Sequence, residues 1–419
     1  MKKKALTLST IAVICCALLV FVSGKFILAE TLGIKRLLQG LCFLPIAAVA
    51  FSNINSKPRI MQHPLILLVV LMLFVSIMAN DNIAGISDRV FLFIGLIVIG
   101  SASKENNEYG IKTIILIATI FSTLALLQWL FLFADPSLAE YARTGYDYIN
   151  NVYTKDFSHP ISWLGSVPVG GTIFLGHSLV RLASYATEPS LLPVYFLIPA
   201  SFALMTDRKK WRICAIPILI ASLLSLSGSV FLSLFFAGFV ALSVLFIGIK
   251  KTIRYTPIPL LAFLIVKVTS QGFDQFTQAF AYLQGFANFL ERSRGFEDRT
   301  LMGLDTLKLA LASPFGSFEV VNTLPFALII KIVIYAGWLG LFFLIIYLFR
   351  LAANMERFYK SDKTSKMQRG SCILFAGVLF MILLFNDYQA TTYPGIMLLM
   401  FAYRTMELRA LPSFSMHKV

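Results

Sequence analysis

Between Ile213 and Ile249 the chain runs without a single charged side chain. That is about twice the roughly 20 residues a helix needs to cross a hydrocarbon layer of about 30 Å. A run of this kind must face lipid or be covered by other protein, and the remainder of the chain is too apolar to cover it. Hydrophobic residues make up 58% of the 419 and charged residues only 14%, where soluble domains hold about 45–50% and about 25%. Lipid offers no partner for a backbone N–H or C=O, so a spanning segment has to satisfy its own hydrogen bonds. The expected fold is an all-α polytopic membrane protein of about twelve transmembrane helices.

Apolar runs place the spans near residues 5–24, 37–52, 64–80, 87–101, 112–134, 189–206, 213–228, 229–249, 256–268, 325–349, 370–387 and 391–403. The stretch from Ser225 to Ser229 is the one plausible turn in the long uncharged run, Pro45 falls inside the second span, and Pro257 and Pro259 fall in the ninth. Five segments follow. Helices 1–5 occupy 1–134, a first large outer loop 135–188, helices 6–9 189–268, a second large outer loop 269–324, and helices 10–12 with a tail 325–419. Short helices are expected inside the two loops.

Charge orients the spans. The connections on one side take Lys2 to Lys4, Lys57, Arg59, Lys104, Lys112, Arg208 to Lys210, Arg212, Lys250, Lys251, Arg254, the basic run from Arg350 to Arg369, and Arg404, Arg409 and Lys418. Most of the 36 lysines and arginines lie there, whereas most of the 21 acids lie on the other side. Cytoplasmic loops carry such an excess, so both termini are expected in the cytoplasm of a bacterial cell, with the chain in its inner membrane. The formal charge of +15 is then a topology signal, and nucleic acid is not an expected partner. The opening lysines and apolar run also fit a secretory signal; lacking a clear cleavage site, they read as an uncleaved first helix.

Long loops in compact folds are usually functional. The first carries Tyr141, Tyr146, Tyr148, Tyr153, Phe157, Trp163 and Phe174 with Gly165, Gly170 and Gly171; an interfacial aromatic belt is the alternative use for such rings. The second carries Phe273, Phe276, Phe280, Leu283 and Phe286 at helical steps, the stripe of an amphipathic helix on the outer leaflet.

Several chemistries are excluded. There is no Gly-x4-Gly-Lys-Ser/Thr loop, the histidines His63, His159, His177 and His417 are scattered, and no cluster has metal-ligand spacing. Cys15, Cys16, Cys42, Cys214 and Cys372 lie in apolar stretches and read as packing residues. No cofactor and no metal is expected. Without ATP on an outer face, a substrate has to arrive activated, and a sugar on a lipid diphosphate meets that need. Its pyrophosphate leaving group calls for guanidinium donors. Arg181 in the first loop and Arg299 in the second are the leading candidates. Arg292 and Arg294 are further ones, although acids alternate with them as in a solvated salt-bridge run. Lys267 and Lys331 sit where lysines snorkel. A base for the acceptor hydroxyl is sought in Glu188, His177 or Asp387; Glu188 equally suits a pair with Arg181 or the dipole of the helix that Pro189 opens.

The sequence resembles the O-antigen polymerase and O-antigen ligase-like membrane glycosyltransferases over roughly residues 110–400. Arg181 followed by Glu188, Pro189 and Ser190 matches the family's Arg-x(n)-Glu-Pro-Ser/Asn stretch. The segment Leu224 to Ser229 resembles its Ser/Thr-rich turn but lacks the arginine that ends it. Arg299, Pro314 to Gly316, Asn322 and Gly337 to Gly340 follow in the family's order, and Arg292 with Gly303 fits an Arg-x10-Gly spacing. The resemblance implies a metal-independent glycosyltransferase acting on undecaprenyl-diphosphate-linked repeat units of O-antigen, capsule or exopolysaccharide, with a chain-length regulator as a further partner. Ligases carry a His where this chain has Val321, which favours a polymerase over a ligase. A lipid-linked oligosaccharide flippase is the alternative from another class, but no paired halves with midplane charges are present.

Overall fold

The structure, a computed structural model, describes residues 7–22, 35–56, 58–78, 83–134, 168–174, 177–182, 193–255, 315–316, 328–362, 364–384 and 393–410. The helices are α1 (Leu8–Val22), α2 (Lys35–Ser56), α3 (Pro64–Met78), α4 (Ile83–Ser101), α5 (Lys104–Ala134), α6 (Ile198–Met205), α7 (Lys209–Ile213), α8 (Ala215–Leu224), α9 (Gly228–Tyr255), α10 (Leu328–Lys360), α11 (Lys366–Leu384) and α12 (Tyr393–Ala410). A 3-10 turn (Pro58–Gln62) precedes α3 and a π-helical turn (Pro193–Leu197) leads into α6. Every span read from the sequence holds helix, except 256–268, which lies outside the described residues.

Among the described residues five helices are long and apolar enough to cross a membrane, and the protein is a helical membrane protein. Its surface gives the reason. Leu37, Leu41, Leu44 and Phe51 on α2 are exposed, as are Phe235, Phe239, Leu242 and Phe246 on α9 and Trp338, Phe342, Ile345 and Phe349 on α10. Each set steps by three, four or seven residues and so forms one stripe. Stripes of this size are unfavourable in water and suited to acyl chains. The opposite faces pack inward. In one group α1 lies against α2, α4, α5 and α12; in the other α11 lies against α6, α9 and α10; and α12 joins them through α4, α5 and α10. Small residues set the closest approach. A Cβ on Gly377 of α11 would lie 2.4 Å from both Ala237 N and Ser233 O of α9.

One end of the bundle is polar. Thr10 Oγ1 donates to Asn106 Oδ1 (2.9 Å), Asn107 Nδ2 to Thr405 Oγ1 (3.0 Å) and Asn53 Nδ2 to Ser101 Oγ (2.7 Å). Arg404 Nη2 donates to Ala102 O (2.8 Å), and Gln368 Nε2 donates to Met205 O (2.9 Å) and Asp207 Oδ1 (2.7 Å). Arg409 joins the same pair through Met205 O and a 3.7 Å contact with Asp207. The segments that alternation of spans puts on one side are thus tied together at one end by their own side chains. Several helices overrun the apolar windows there. The 31 residues of α5 rise about 46 Å at 1.5 Å each, and its first turns outside the apolar run are stitched by Lys112 and Glu108 (2.9 Å).

The departure from an all-helical expectation is local. Within the first large loop, where short helices were expected, the described residues form an antiparallel hairpin of β1 (Pro168–Phe174) and β2 (His177–Leu182). β-branched Val169, Thr172, Ile173 and Val180 supply the strand preference. The glycines Gly170 and Gly171 fall where the register shifts between Val169 and Thr172, as expected of a bulge.

Candidate functional site

The hairpin is the element that carries candidate residues into a defined place. In its register His177 pairs with Phe174 beside the turn, and Arg181 pairs with Val169 near the open end. β2 packs against α5 and α8. The connection that holds it leaves α5 at Ala134 and returns through the π-helical turn and α6, whose last residue, Met205, belongs to the polar end. The hairpin therefore belongs to the end of the bundle opposite the polar network.

Beside it α8 stops early. Its 10 residues rise about 15 Å, half a hydrocarbon layer, before Ser225, Leu226 and Ser227 turn the chain into α9. Leu226 has φ 46°, a left-handed conformation that a branched side chain adopts only under constraint. Serines hold the turn. Ser222 Oγ donates to Ile218 O (2.8 Å), Ser225 Oγ to Ser222 O (2.5 Å) and Ser233 Oγ to Ser229 O (2.7 Å), while Ser227 and Ser229 join hydroxyl to hydroxyl (2.8 Å). Ser222, Ser225 and Ser227 are fully or almost fully buried. Non-helical backbone at membrane depth survives only inside protein or along a cavity, and here buried hydroxyls close the local backbone. This is the turn expected between Ser225 and Ser229; it is a helix break inside the bundle rather than a loop at its surface.

The other sequence candidates divide. Glu188, Arg292, Arg294, Arg299, Asp387, Lys267, Asn322 and Val321 lie outside the described residues, as does most of each large loop. Gly316 of the Pro-Phe-Gly segment has φ 91°, a turn conformation suited to glycine. Gly337 has φ 60° and breaks α10 one turn before Gly340. Lys331 lies in the first turn of α10. The structure therefore places His177 and Arg181 on one strand that packs against α5 and α8.

A group the sequence reading passed over lies on other helices. Asp88 and Arg89 sit in α4 near its start. Gln39 of α2, only 3% exposed, places Nε2 3.5 Å from Asp88 Oδ1, and the Arg89 guanidinium carbon stands 5.8 Å from the centre of the Tyr335 ring on α10. The available signal was an acid and a base inside an apolar span at the end where basic residues are scarce.

At the polar end, His63 sits between the 3-10 turn and α3, its ring 4.8 Å edge-on from Tyr403. Burial, then the charges of Arg350 and Arg404, lower its pKa to about 4, so it is neutral at pH 7. Its Nδ1 accepts from Leu65 N (3.3 Å). This is a packing histidine. Among the described residues no three His, Cys, Asp or Glu side chains gather as a metal site requires. Comparison with family models, curated proteins and solved structures finds no match.

Proposed function

We propose that the protein polymerises oligosaccharide repeat units carried on undecaprenyl diphosphate, at the outer face of a bacterial inner membrane. The carrying observation is the hairpin. A strand bearing His177 and Arg181 packs against α5 and the short α8, at the end opposite the basic polar network. The positive-inside distribution supports reading that network as cytoplasmic and the hairpin as periplasmic.

The chemistry follows from the donor. The acceptor hydroxyl oxygen bonds to the anomeric carbon as the bond from that carbon to the diphosphate oxygen breaks. The diphosphate leaves with the electron pair, and the hydroxyl proton passes to a base, for which Glu188 and His177 are proposed. Arg181 and Arg299 stabilise charge on the leaving group, with Arg292 and Arg294 as further diphosphate contacts. A guanidinium fork engages two oxygens at once, where an ammonium is a point charge. The growing glycan moves to the incoming unit.

Deletion of the protein tests the reading. Single repeat units on lipid should accumulate on the outer face, and single units remain available for capping onto the acceptor lipid. Long chains still attached to their carrier point to a ligase, and units trapped on the inner face point to a flippase; either result refutes the polymerase.

A further inference from the structure

We propose that Lys209, flanked by Arg208 and Lys210 and aligned with the exposed stripe of α8, holds the phosphate of an anionic phospholipid in the leaflet that meets the polar end of the bundle.

The stripe carries the placement. Ile213, Ile216, Ile220 and Leu223 are 52, 55, 44 and 46% exposed, and they recur at three- and four-residue steps, so they share one helix face. α7 passes into α8 through Cys214, whose φ −60° and ψ −21° keep the backbone helical. The same face therefore continues back to Lys209, one turn before Ile213. On α8 the other faces are covered: Ala215, Ile218, Ala221 and Ser222 are buried, and the helix packs against α5 and α6. At 1.5 Å per residue the stripe from Ile213 to Leu223 is about 15 Å long, the hydrocarbon thickness of one leaflet. Lys209 stands about 6 Å beyond it, at the level of the headgroups. An acyl chain laid along the stripe thus brings its phosphate to Lys209.

Charge supplies the selectivity. Arg208, Lys209 and Lys210 are exposed, and among the described residues no carboxylate pairs with them. The preceding acid, Asp207, accepts from Gln368 Nε2 (2.7 Å) and lies 3.7 Å from Arg409. Glu108 on the adjoining α5 pairs with Lys112. α7 itself is held in place. Arg212 Nε donates to Thr206 O (2.7 Å), and Trp211 packs against the core, with Lys210 Nζ 5.7 Å from the centre of its ring. An indole at this level is what a membrane interface favours. Each basic residue near a membrane surface strengthens binding of anionic lipid severalfold. The isoleucines continuous with these cations select a lipid over a soluble anion or an acidic protein segment, neither of which reaches down to Ile220 and Leu223.

The test uses the purified full-length protein in phosphatidylcholine nanodiscs doped with phosphatidylglycerol that bears a photoreactive acyl chain. Labelled peptides are mapped and compared with those from photoreactive phosphatidylcholine. Preferential labelling of 211–224 by phosphatidylglycerol is expected. Lys209→Gln with Lys210→Gln should lower that preference about tenfold. Arg357→Gln with Lys360→Gln, an equal change of charge at the same end of the bundle, should leave it intact. If the lysine double variant loses its monodisperse gel-filtration peak, Lys209→Gln alone replaces it, with a severalfold loss expected. Equal labelling by the two lipids, or a preference unchanged in the lysine variants, overturns the site. An equal loss in the Arg357 and Lys360 variant also overturns it, because a general charge bias then accounts for the binding. Displacement of the label by millimolar inorganic phosphate overturns the assignment to a lipid.

Discussion

Gly377→Ala adds one methyl group where α11 meets the backbone of α9, and the consequence can be worked out. The new Cβ would stand 2.4 Å from Ala237 N, 2.4 Å from Ser233 O and 2.7 Å from Ala237 Cα. Ordinary contact for these atoms begins near 3.4 Å, so α9 and α11 must separate by about 1 Å. All three opposing atoms are backbone, and no rotamer change relieves the clash. A gap of 0.5–1 Å already forfeits about a quarter to a half of the local dispersion energy, and overpacking of this kind costs about 1–3 kcal/mol. Loss of a close Cα–H···O approach to Ser233 adds about 0.5–1 kcal/mol. Against this, alanine is favoured over glycine in a helix by about 1 kcal/mol. The net is a destabilisation of about 2 kcal/mol. Gly370 on α11 and Gly238 on α9 provide the control, since a Cβ at either meets nothing within 4 Å. Gly370→Ala and Gly238→Ala should be neutral or slightly stabilising. Thermal unfolding in one detergent, followed by circular dichroism, should rank Gly377→Ala several degrees below the parent and both controls at or above it. A melting temperature for Gly377→Ala equal to that of Gly370→Ala refutes the close crossing. Because α9 begins at the serine turn, the displacement should also lower polymer formation per folded molecule.

Three further outcomes are expected. Acid should destabilise the fold through His63: its folded pKa is about 4 and its ordinary value 6.5, so the unfolded chain takes up the proton first, and stability falls as pH drops from about 6.5 to about 4. The span corresponds to about 3 kcal/mol at most, and unfolding measured across that window should flatten in His63→Phe. Arg181→Ala and Arg299→Ala should each lower polymer synthesis by a hundredfold or more, the scale of about 3 kcal/mol for a lost oxyanion donor, at near-normal membrane levels. Full activity in Arg181→Lys refutes bidentate diphosphate contact. Cysteines placed at Tyr153 and Gln284 should react with an impermeant reagent from outside, and cysteines at Lys209, Lys251 and Lys363 only from inside; cytoplasmic labelling at Gln284 reverses the assigned side of both large loops.

The spans were legible because lipid imposes length and apolarity together, and both are written in the sequence. Helix ends were less so. The first turns of α5 lie outside the apolar window and are held by the Glu108 and Lys112 pair and by contacts of Asn106 and Asn107 with distant helices. The serine turn was visible as a turn, but its depth was not, since that depends on α8 being only 10 residues long. The hairpin was not read as strand, and short helices were expected in its loop instead, because its few β-branched residues are diluted by Gly170 and Gly171. Asp88 and Arg89 were missed for the opposite reason: next to an apolar run they look like a span boundary, and only α2 and α10 beside them give the pair a setting.

Side chains fasten one end of the bundle. At the polar end, side chains of α1, α2, α4, α5, α11 and α12 reach across to other helices, and the bonds from Gln368 and Arg409 to Met205 fasten the end of α6. Such contacts fix helix positions relative to one another. The backbone departs from α-geometry at the π-helical turn before α6, at Leu226, at Gly337 and, next to Lys250 and Lys251, at Gly248. A departure at membrane depth frees hydrogen-bonding groups that water cannot reach, so those groups have to be satisfied by neighbouring protein. One of these departures, Leu226, follows α8, the helix on which the hairpin strand packs.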